Sequence, residues 1–333
     1  MQQQTVVKKD SNGLMRLVRT DEFSTFIPLL VIIVITTIVR PAFLSVSNFS
    51  AMFTQIPFIA ITALGASFPL MTGNVDISTG RVAGFAGIIM STLLVDAHWA
   101  PLPAILVALA CCCVVGVING VLVVHFGVPD FVATMGTLYM VGGARYLFIK
   151  GYQFALTRDD VPQAHGLTNA FDGRYLGMPL YFWIMVVLFV IVFIVIKRTI
   201  WGRRLLAIGD NREVAMLVGI KVKSMRISAY VISSFLSAVA GILLTLDIGL
   251  GLPETGDGWE FRAIAGCVIG GVSLAGGKCS PLGILIGITL VFVAENALIF
   301  IGLPTTMRIA VQGALMAAAV LFDVYRQARK VPA

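Results

Sequence analysis

Long apolar runs separated by short polar breaks make up most of the chain. The runs fall at about 26–39, 56–72, 80–95, 102–124, 131–149, 180–196, 228–248, 262–275, 282–300 and 306–322. A hydrocarbon core of ~30 Å takes ~20 helical residues to cross. The pattern therefore predicts an all-α polytopic membrane protein with about ten transmembrane helices, several short or interrupted by Gly and Pro. One membrane domain over 26–322 is expected, flanked by polar tails at 1–25 and 323–333 and divided by an inner loop at 197–227. The first run follows Lys8, Lys9, Arg16 and Arg19, as a signal peptide would, but no small-x-small site closes it before Arg40 and Pro41. A retained first helix is expected.

Composition agrees and narrows the choice. Of 333 residues, 58% are hydrophobic and 12% charged, and the mean hydropathy is +0.94. A soluble domain carries roughly 25% charged residues, so a soluble enzyme is excluded. The net charge of +7 would suggest nucleic acid if it were spread over a surface. Instead it reports topology, because cytoplasmic loops carry the excess of Lys and Arg. The inner loop holds Lys197, Arg198, Arg203, Arg204, Arg212, Lys221, Lys223 and Arg226 against Asp210 and Glu213, a balance of +6. Counting crossings from it puts both basic tails on the same side, so the N- and C-termini are expected to be cytoplasmic. The segments 96–101 and 249–260, which contain no Lys or Arg, fall outside. The outer loop 150–179 is balanced, with Lys150, Arg158 and Arg174 against Asp159, Asp160 and Asp172.

A possible internal repeat appears in 116–124 and 283–291, which share a Gly-x-x-x-Gly core and are each followed by a Pro, Pro129 or Pro304, and another apolar helix. Duplicated transporter halves show such echoes, although Gly-x-x-x-Gly also recurs wherever membrane helices approach closely. The five cysteines, Cys111, Cys112, Cys113, Cys267 and Cys279, have no C-x-x-C spacing, and His98, His125 and His165 are scattered. No disulfide framework, zinc site or other metal is expected.

Four features rise above this background. The first is Thr72-Gly-Asn-Val-Asp-Ile-Ser-Thr-Gly-Arg81, a polar break between two apolar helices. Non-helical backbone at membrane depth is tolerated where protein or a water-filled cavity receives it. The break is either a re-entrant element beside a path or a tight turn in which Asp76 caps the next helix. The second is the inner loop, where Asp210 or Asn211 can cap a short helix running to about Val218, with Glu213 in its first turn and Gly219 ending it. Such a helix is a docking surface or an amphipathic connector on anionic lipid.

The third is the Gly- and acid-rich outer loop 249–262 leading into the glycine-dense 263–278. Its Gly-Gly-Lys fails as a phosphate loop twice, since Val272 occupies the first Gly position and Cys279 the hydroxyl position. This chain is expected to bind no cofactor and to hydrolyse no ATP. The fourth is the set of ionisable groups in or near spans: Arg145, Asp247, Glu295 with Asn296, and Arg308. Such groups face a bundle interior or an aqueous path. Arg145, Asp247 and Arg308 lie near predicted ends and could snorkel, whereas Glu295 and Asn296 lie deeper, at a pore or a subunit interface. No nucleophile, base and acid arrangement is present, so no enzyme activity is expected.

With these residues in view, the chain resembles the permease subunit of ribose-type sugar ABC importers from Pro41 to Asp323. Four blocks carry the match in order: Thr72-Gly-Asn-Val-Asp-Ile-Ser; Gly-Val-Ile-Asn-Gly120 with Val128-Pro-Asp-Phe-Val-Ala-Thr-Met-Gly-Thr137; Ala207-Ile-Gly-Asp-Asn to Gly219-Ile; and Ala263-Ile-Ala-Gly-Cys-Val-Ile-Gly-Gly-Val-Ser-Leu-Ala-Gly-Gly277. The resemblance implies a multi-pass inner-membrane protein of ten helices. Its implied partners are a second permease copy or paralogue, two cytoplasmic ABC ATPase subunits that bind ATP, an extracytoplasmic solute-binding protein, and lipid, with no nucleic acid.

It also assigns 209–220 as the ATPase-coupling helix, with Gly209, Asp210, Asn211, Arg212, Glu213, Val214, Ala215, Met216, Leu217 and Gly219. Asn74, Asp76, Ser78, Asn119, Glu295 and Asn296 are the candidates for the translocation path. The chain departs from the family's pattern at Asn74, at Arg81 and at Glu295. Pentoses, other aldoses and autoinducer-2 remain open as solutes. The alternatives from other classes are an ion- or proton-coupled secondary transporter using Asp76, Asp247 or Glu295, and a channel.

Overall fold

The computed structural model describes residues 21–148, 154–157, 161–171 and 173–304, with isolated positions between 306 and 321. Helices form where the apolar runs predict them: α1 (Asp21–Val39), α2 (Val46–Met71), α3 (Thr79–Val95), α4 (Pro101–Val124) and α5 (Asp130–Phe148). After a connector come α7 (Leu180–Arg198), α10 (Val222–Ile248), α11 (Trp259–Ile269) and α12 (Pro281–Phe300). Five of them, α2, α4, α7, α10 and α12, are long and apolar enough to cross a membrane. The tenth expected segment, Arg308 and residues 1–20 and 323–333 of the charged tails fall outside the described residues, apart from isolated helical positions between 306 and 321, and α1 begins at Asp21, within the expected tail.

Three parts of the architecture were not expected. The loop after α5 contains α6 (Pro162–Phe171), and the connection between α7 and α10 contains α8 (Ile200–Asp210) ahead of the anticipated short helix, α9 (Arg212–Leu217). Four two-residue strands qualify the all-α expectation. β1 (Phe154–Ala155) pairs antiparallel with β4 (Leu250–Gly251), and β2 (Arg174–Tyr175) with β3 (Met178–Pro179). The first pair ties the loop after α5 to the loop after α10.

α10 runs through the middle of the molecule and packs on α2, α3 and α4. Its closest neighbour is α4, and the small residues of the first Gly-x-x-x-Gly make the approach possible. A Cβ at Gly116 would strike the Tyr230 carbonyl and one at Gly120 the Ile227 backbone. The second Gly-x-x-x-Gly works the same way at the α11–α12 crossing, where Gly283 lies against Gly270 and Gly287 against Gly266. Both echoes are thus close helix crossings. The outer faces of α7 and α4 carry exposed apolar side chains such as Val187, Val190, Ile191 and Ile194, the surface a lipid-facing helix requires.

The segment 252–258 does not lie on the surface as an outer loop would. It descends along α3, with Gly251 against Ser91, Thr255 against Gly84 and Gly256 against Gly80. At 1.5 Å per residue the eleven positions from 80 to 91 span about 16 Å, roughly half the thickness of a bilayer core. Irregular backbone therefore runs beside α3 over that length, buried in protein, as a membrane would require of it. The first turns of α3 and α11 meet there, with Glu260 against Gly80. α11 stops at Ile269, short of the predicted 275, and a turn-rich segment leads to Ser280, whose hydroxyl caps α12.

Candidate functional site

The break between α2 and α3 is held by side chains from three other helices, α4, α5 and α10. Asp130, at the start of α5, accepts from the Val75 amide at 2.7 Å and from Asn74 Nδ2 at 3.2 Å. Arg226 of α10 donates through Nε and Nη2 to Asn74 Oδ1, at 3.1 and 2.8 Å. Deeper in, Asp76 Oδ1 accepts from the Ser78 amide at 3.0 Å and the Ser78 hydroxyl at 2.6 Å, and Oδ2 accepts from Ser233 Oγ at 2.8 Å. Asn119 Nδ2 donates to Ser78 Oγ at 2.9 Å, while Thr137 Oγ1 donates to Asn119 Oδ1 at 2.7 Å. Asn74, Asp76, Ser78 and Asn119 are all buried. They fall in two groups, Asn74 with Asp130 and Arg226, and Asp76 with Ser78, Ser233, Asn119 and Thr137; Asp76 bonds Ser78, the residue before α3, and caps no amide within the helix.

α8 and α9 pack directly against this break. α8 is opened by Thr199, whose hydroxyl accepts from the Gly202 amide at 3.1 Å. Asp210 is its last residue, so Gly209 and Asp210 belong to α8 and not to the short helix after it. Asn211 alone is the cap of α9, its Oδ1 accepting from the Glu213 and Val214 amides at 3.0 Å each. Gly219 (φ 79°) turns the chain out of the helix in a conformation that disfavours side chains. Ala215 faces inward onto Ile208 and Val222, leaving Val214, Met216, Leu217 and Val218 exposed. Gly209 presses so closely on the Met71 carbonyl and the Gly277 amide that no Cβ fits. The Gly277 amide donates to Met71 O at 3.0 Å, and Arg212 Nη2 donates to Thr72 O at 3.3 Å.

A charged face lies where α3 and α11 meet. Asp257 is 2.6 Å from Arg81 Nη1 and 2.9 Å from Arg145 Nη2, and Arg145 Nη1 donates to Thr255 O at 2.8 Å. Arg145 is 0% exposed, against 25% for the Arg81 side chain and 36% for Asp257. Arg145 therefore does not snorkel; it is spent on the re-entrant segment. One turn into α11, Arg262 pairs with Glu295 of α12 at 3.1 Å. Asn296 Nδ2 donates to Asn48 Oδ1 at 2.9 Å. Arg262, Glu295 and Asn296 line a cavity of about 260 Å³ with Gln55, Met52, Ala51, Phe292 and Ile299.

The six path candidates are therefore divided. Asn74, Asp76, Ser78 and Asn119 come together at the break, and Glu295 with Asn296 stands apart on the partly exposed cavity. Sequence reasoning missed Asp130, Arg226 and Ser233, whose partners in the break are 55 to 157 residues away. It also missed the pairing of Arg81 with Asp257, although the acid-rich loop holding Asp257 was a visible signal. Among the described residues no group of three or more His, Cys, Asp or Glu side chains could hold a metal.

The profile described as "Branched-chain amino acid transport system / permease component" matches residues 48–320. The ribose import permease protein RbsC of Haemophilus influenzae is 31% identical over 310 residues, 93% of this chain and 95% of that protein. The autoinducer 2 import system permease protein LsrC of Enterobacter sp. is 31% identical over 312 residues, covering 92% and 88%. The L-arabinose ABC transporter permease protein AraH of Azospirillum brasilense is 29% identical over 298 residues, covering 90% and 86%. No solved structure matches. The chain is a multi-pass membrane protein of the ABC importer permease family to which these ribose, arabinose and autoinducer-2 permeases belong.

Proposed function

We propose that the chain is the transmembrane subunit of a binding-protein-dependent ABC importer, forming the path for a small polar solute. A monosaccharide or a related compound such as autoinducer-2 is the solute class, following the names of the relatives. In this reading ten helices cross the membrane with both termini inside. A second permease copy or paralogue completes the pore, two cytoplasmic ATPases supply the energy, and an external binding protein delivers the solute. The path runs along the face that bears Gln55, Arg81, Asp257, Arg262 and Glu295. Charged groups at mid-depth are too costly to present to lipid, so this face borders water or the other permease.

The observation that carries the proposal is α9. It is a capped helix with uncovered apolar side chains at Val214, Met216, Leu217 and Val218, in a loop whose excess of Lys and Arg supports an inner position. These side chains fit a groove on an ATPase. The base of the same unit abuts the break through Gly209 and Arg212, so closure of the ATPases would move 72–78 and the start of α3. The two buried polar groups, Asn74 with Asp130 and Arg226, and Asp76 with Ser78, Asn119 and Ser233, then serve as the joint that carries the movement to α4, α5 and α10. Alternating access follows as these helices tilt.

Purification of the tagged chain from mild detergent tests this, with mass spectrometry of what accompanies it. An ABC ATPase is expected to co-purify and to be lost from Leu217→Asp, which alters a side chain 86% exposed and so spares the fold. Recovery of the chain alone, or full retention of the ATPase by Leu217→Asp, would overturn the reading.

A further inference from the structure

We infer that the cavity between α2, α11 and α12 is a solute-binding subsite for an uncharged, polyhydroxylated ligand of monosaccharide size. The inference rests on reading the chain as an importer permease. The cavity measures about 260 Å³, a little below the ~300–1,000 Å³ of pockets that hold drug-sized molecules. That is the right scale for a single sugar ring.

Its lining has two characters. Gln55, Arg262, Glu295 and Asn296 present polar groups, while Met52 and Phe292 supply an apolar wall. The guanidinium of Arg262 and the carboxylate of Glu295 lie 3.1 Å apart, so the site carries donors and acceptors but no net charge. A hydroxyl can accept from one and donate to the other, and a neighbouring hydroxyl can do the same, which a vicinal diol satisfies at once. An anion or a cation would find its counter-charge already engaged.

Asn296 adds a direct sign of a ligand. Its Nδ2 is committed to Asn48, but its Oδ1 is buried without a hydrogen-bond partner. An acceptor left so is unusual in a folded protein, and a ligand hydroxyl would satisfy it. The Phe292 ring offers the apolar C–H face of a sugar a surface to lie on. An acyl chain is a poor occupant because Arg262, Glu295 and Gln55 would lose water without gaining partners.

The purified full-length permease, with any ATPase it brings along, is heated in the presence of D-ribose, L-arabinose, D-xylose and D-glucose. L-Leucine and D-gluconate serve as zwitterionic and anionic counterparts. At least one neutral sugar is expected to raise the unfolding midpoint, and neither counterpart should. Two variants then localise the effect. Ala51→Trp fills the cavity from an exposed position without touching the polar pairs, and Asn296→Leu removes the vacant acceptor. Both are expected to fold, keep the ATPase and lose at least tenfold in apparent sugar affinity.

A shift by leucine or gluconate, no shift by any sugar, or an undiminished shift in Ala51→Trp would overturn the subsite. So would dissociation of a permease dimer by Ala51→Trp with sugar affinity retained, since that would make the cavity a contact between copies. Failure of the ATPase to co-purify with the wild type would instead sink the importer reading, whatever the sugars do.

Discussion

Two guanidinium groups, of Arg81 and Arg145, converge on the Asp257 carboxylate, and the consequences of neutralising it can be worked out. Asp257→Asn leaves Arg145 fully buried without its counter-ion, whereas Arg81 retains access to water through its 25% exposure. Breaking a buried pair by removing one partner costs about 3–5 kcal/mol. Two features lower that figure here. Arg145 Nη1 keeps its bond to Thr255 O at 2.8 Å, and the Asn side chain can still accept one hydrogen bond through its oxygen. Asp257→Asn is therefore expected to cost about 2–3 kcal/mol. Arg81→Gln should cost about 0.5–1 kcal/mol, because Asp257 keeps Arg145 and the lost pair was partly solvated.

The order of the two follows from burial even though the Arg81 contact is the shorter. Arg145→Met combined with Asp257→Asn removes both members of the buried pair, and the double variant should be about 1–2 kcal/mol more stable than the sum of the singles predicts. Reversible unfolding in mixed detergent micelles measures all four proteins. An Arg81→Gln penalty equal to or above that of Asp257→Asn, or additivity within about 0.5 kcal/mol, would refute the argument.

Three further outcomes follow from the break and the inner elements. Asp76→Ala strands three donors, from the Ser78 amide and hydroxyl and from Ser233, and should lose about 3 kcal/mol or more of stability. Asp76→Asn should fold and transport, because Ser233 Oγ can rotate to accept from the new amide; complete loss of transport in a folded Asp76→Asn protein would favour a proton-carrying role. Asn211→Ala removes the acceptor for two α9 amides and should cost about 1 kcal/mol locally, visible as faster amide exchange over 212–217 with other helices unchanged. Gly209→Val drives side-chain atoms into the Met71 carbonyl and Gly277 amide and should lower the folded yield by at least the ~1–3 kcal/mol typical of overpacking, which size-exclusion profiles of the solubilised protein would register.

The positions of the helices were legible because a membrane solvent leaves its mark on every residue it touches. An apolar run such as 102–124 could only be a helix, and Pro101 to Val124 is one. α8 was missed because its pattern is amphipathic and interrupted by Arg203 and Arg204; the cap at Thr199 and the inward Leu205 and Ile208 were the available signal. The cap of α9 was legible as a choice between Asp210 and Asn211, and only the end of α8 decided it. What the sequence did not reveal is pairing across distance. Nothing local to Arg145 says that it is committed to a loop 110 residues on, so its place near a helix end suggested snorkelling. The split of Glu295 and Asn296 from the other polar candidates was hidden for the same reason, since depth along separate helices has no common reference in a linear chain.

The break and the re-entrant segment solve one physical problem twice. Each buries irregular backbone among the helices, and each must satisfy it without water. The break does so with Asn119 of α4, Asp130 of α5, and Ser233 and Arg226 of α10. The re-entrant segment uses Arg145 and the glycine face of α3. The two share α3, whose first turn follows Ser78 on one side and packs against Gly256 and Glu260 on the other. A displacement of the break cannot leave the re-entrant segment unmoved, because Gly80 and Gly256 are in contact with no side chain between them to yield. At the opposite end the break touches α8 and α9 with equally little slack, through Gly209 on Met71 and Gly277. Rigid close contacts between backbones transmit displacement better than pairs of long flexible side chains, whose torsions absorb it. In the importer proposed here, this places the mechanical link between the inner surface and mid-membrane in the glycines at 80, 209, 256 and 277. The charges around them hold the segments in place.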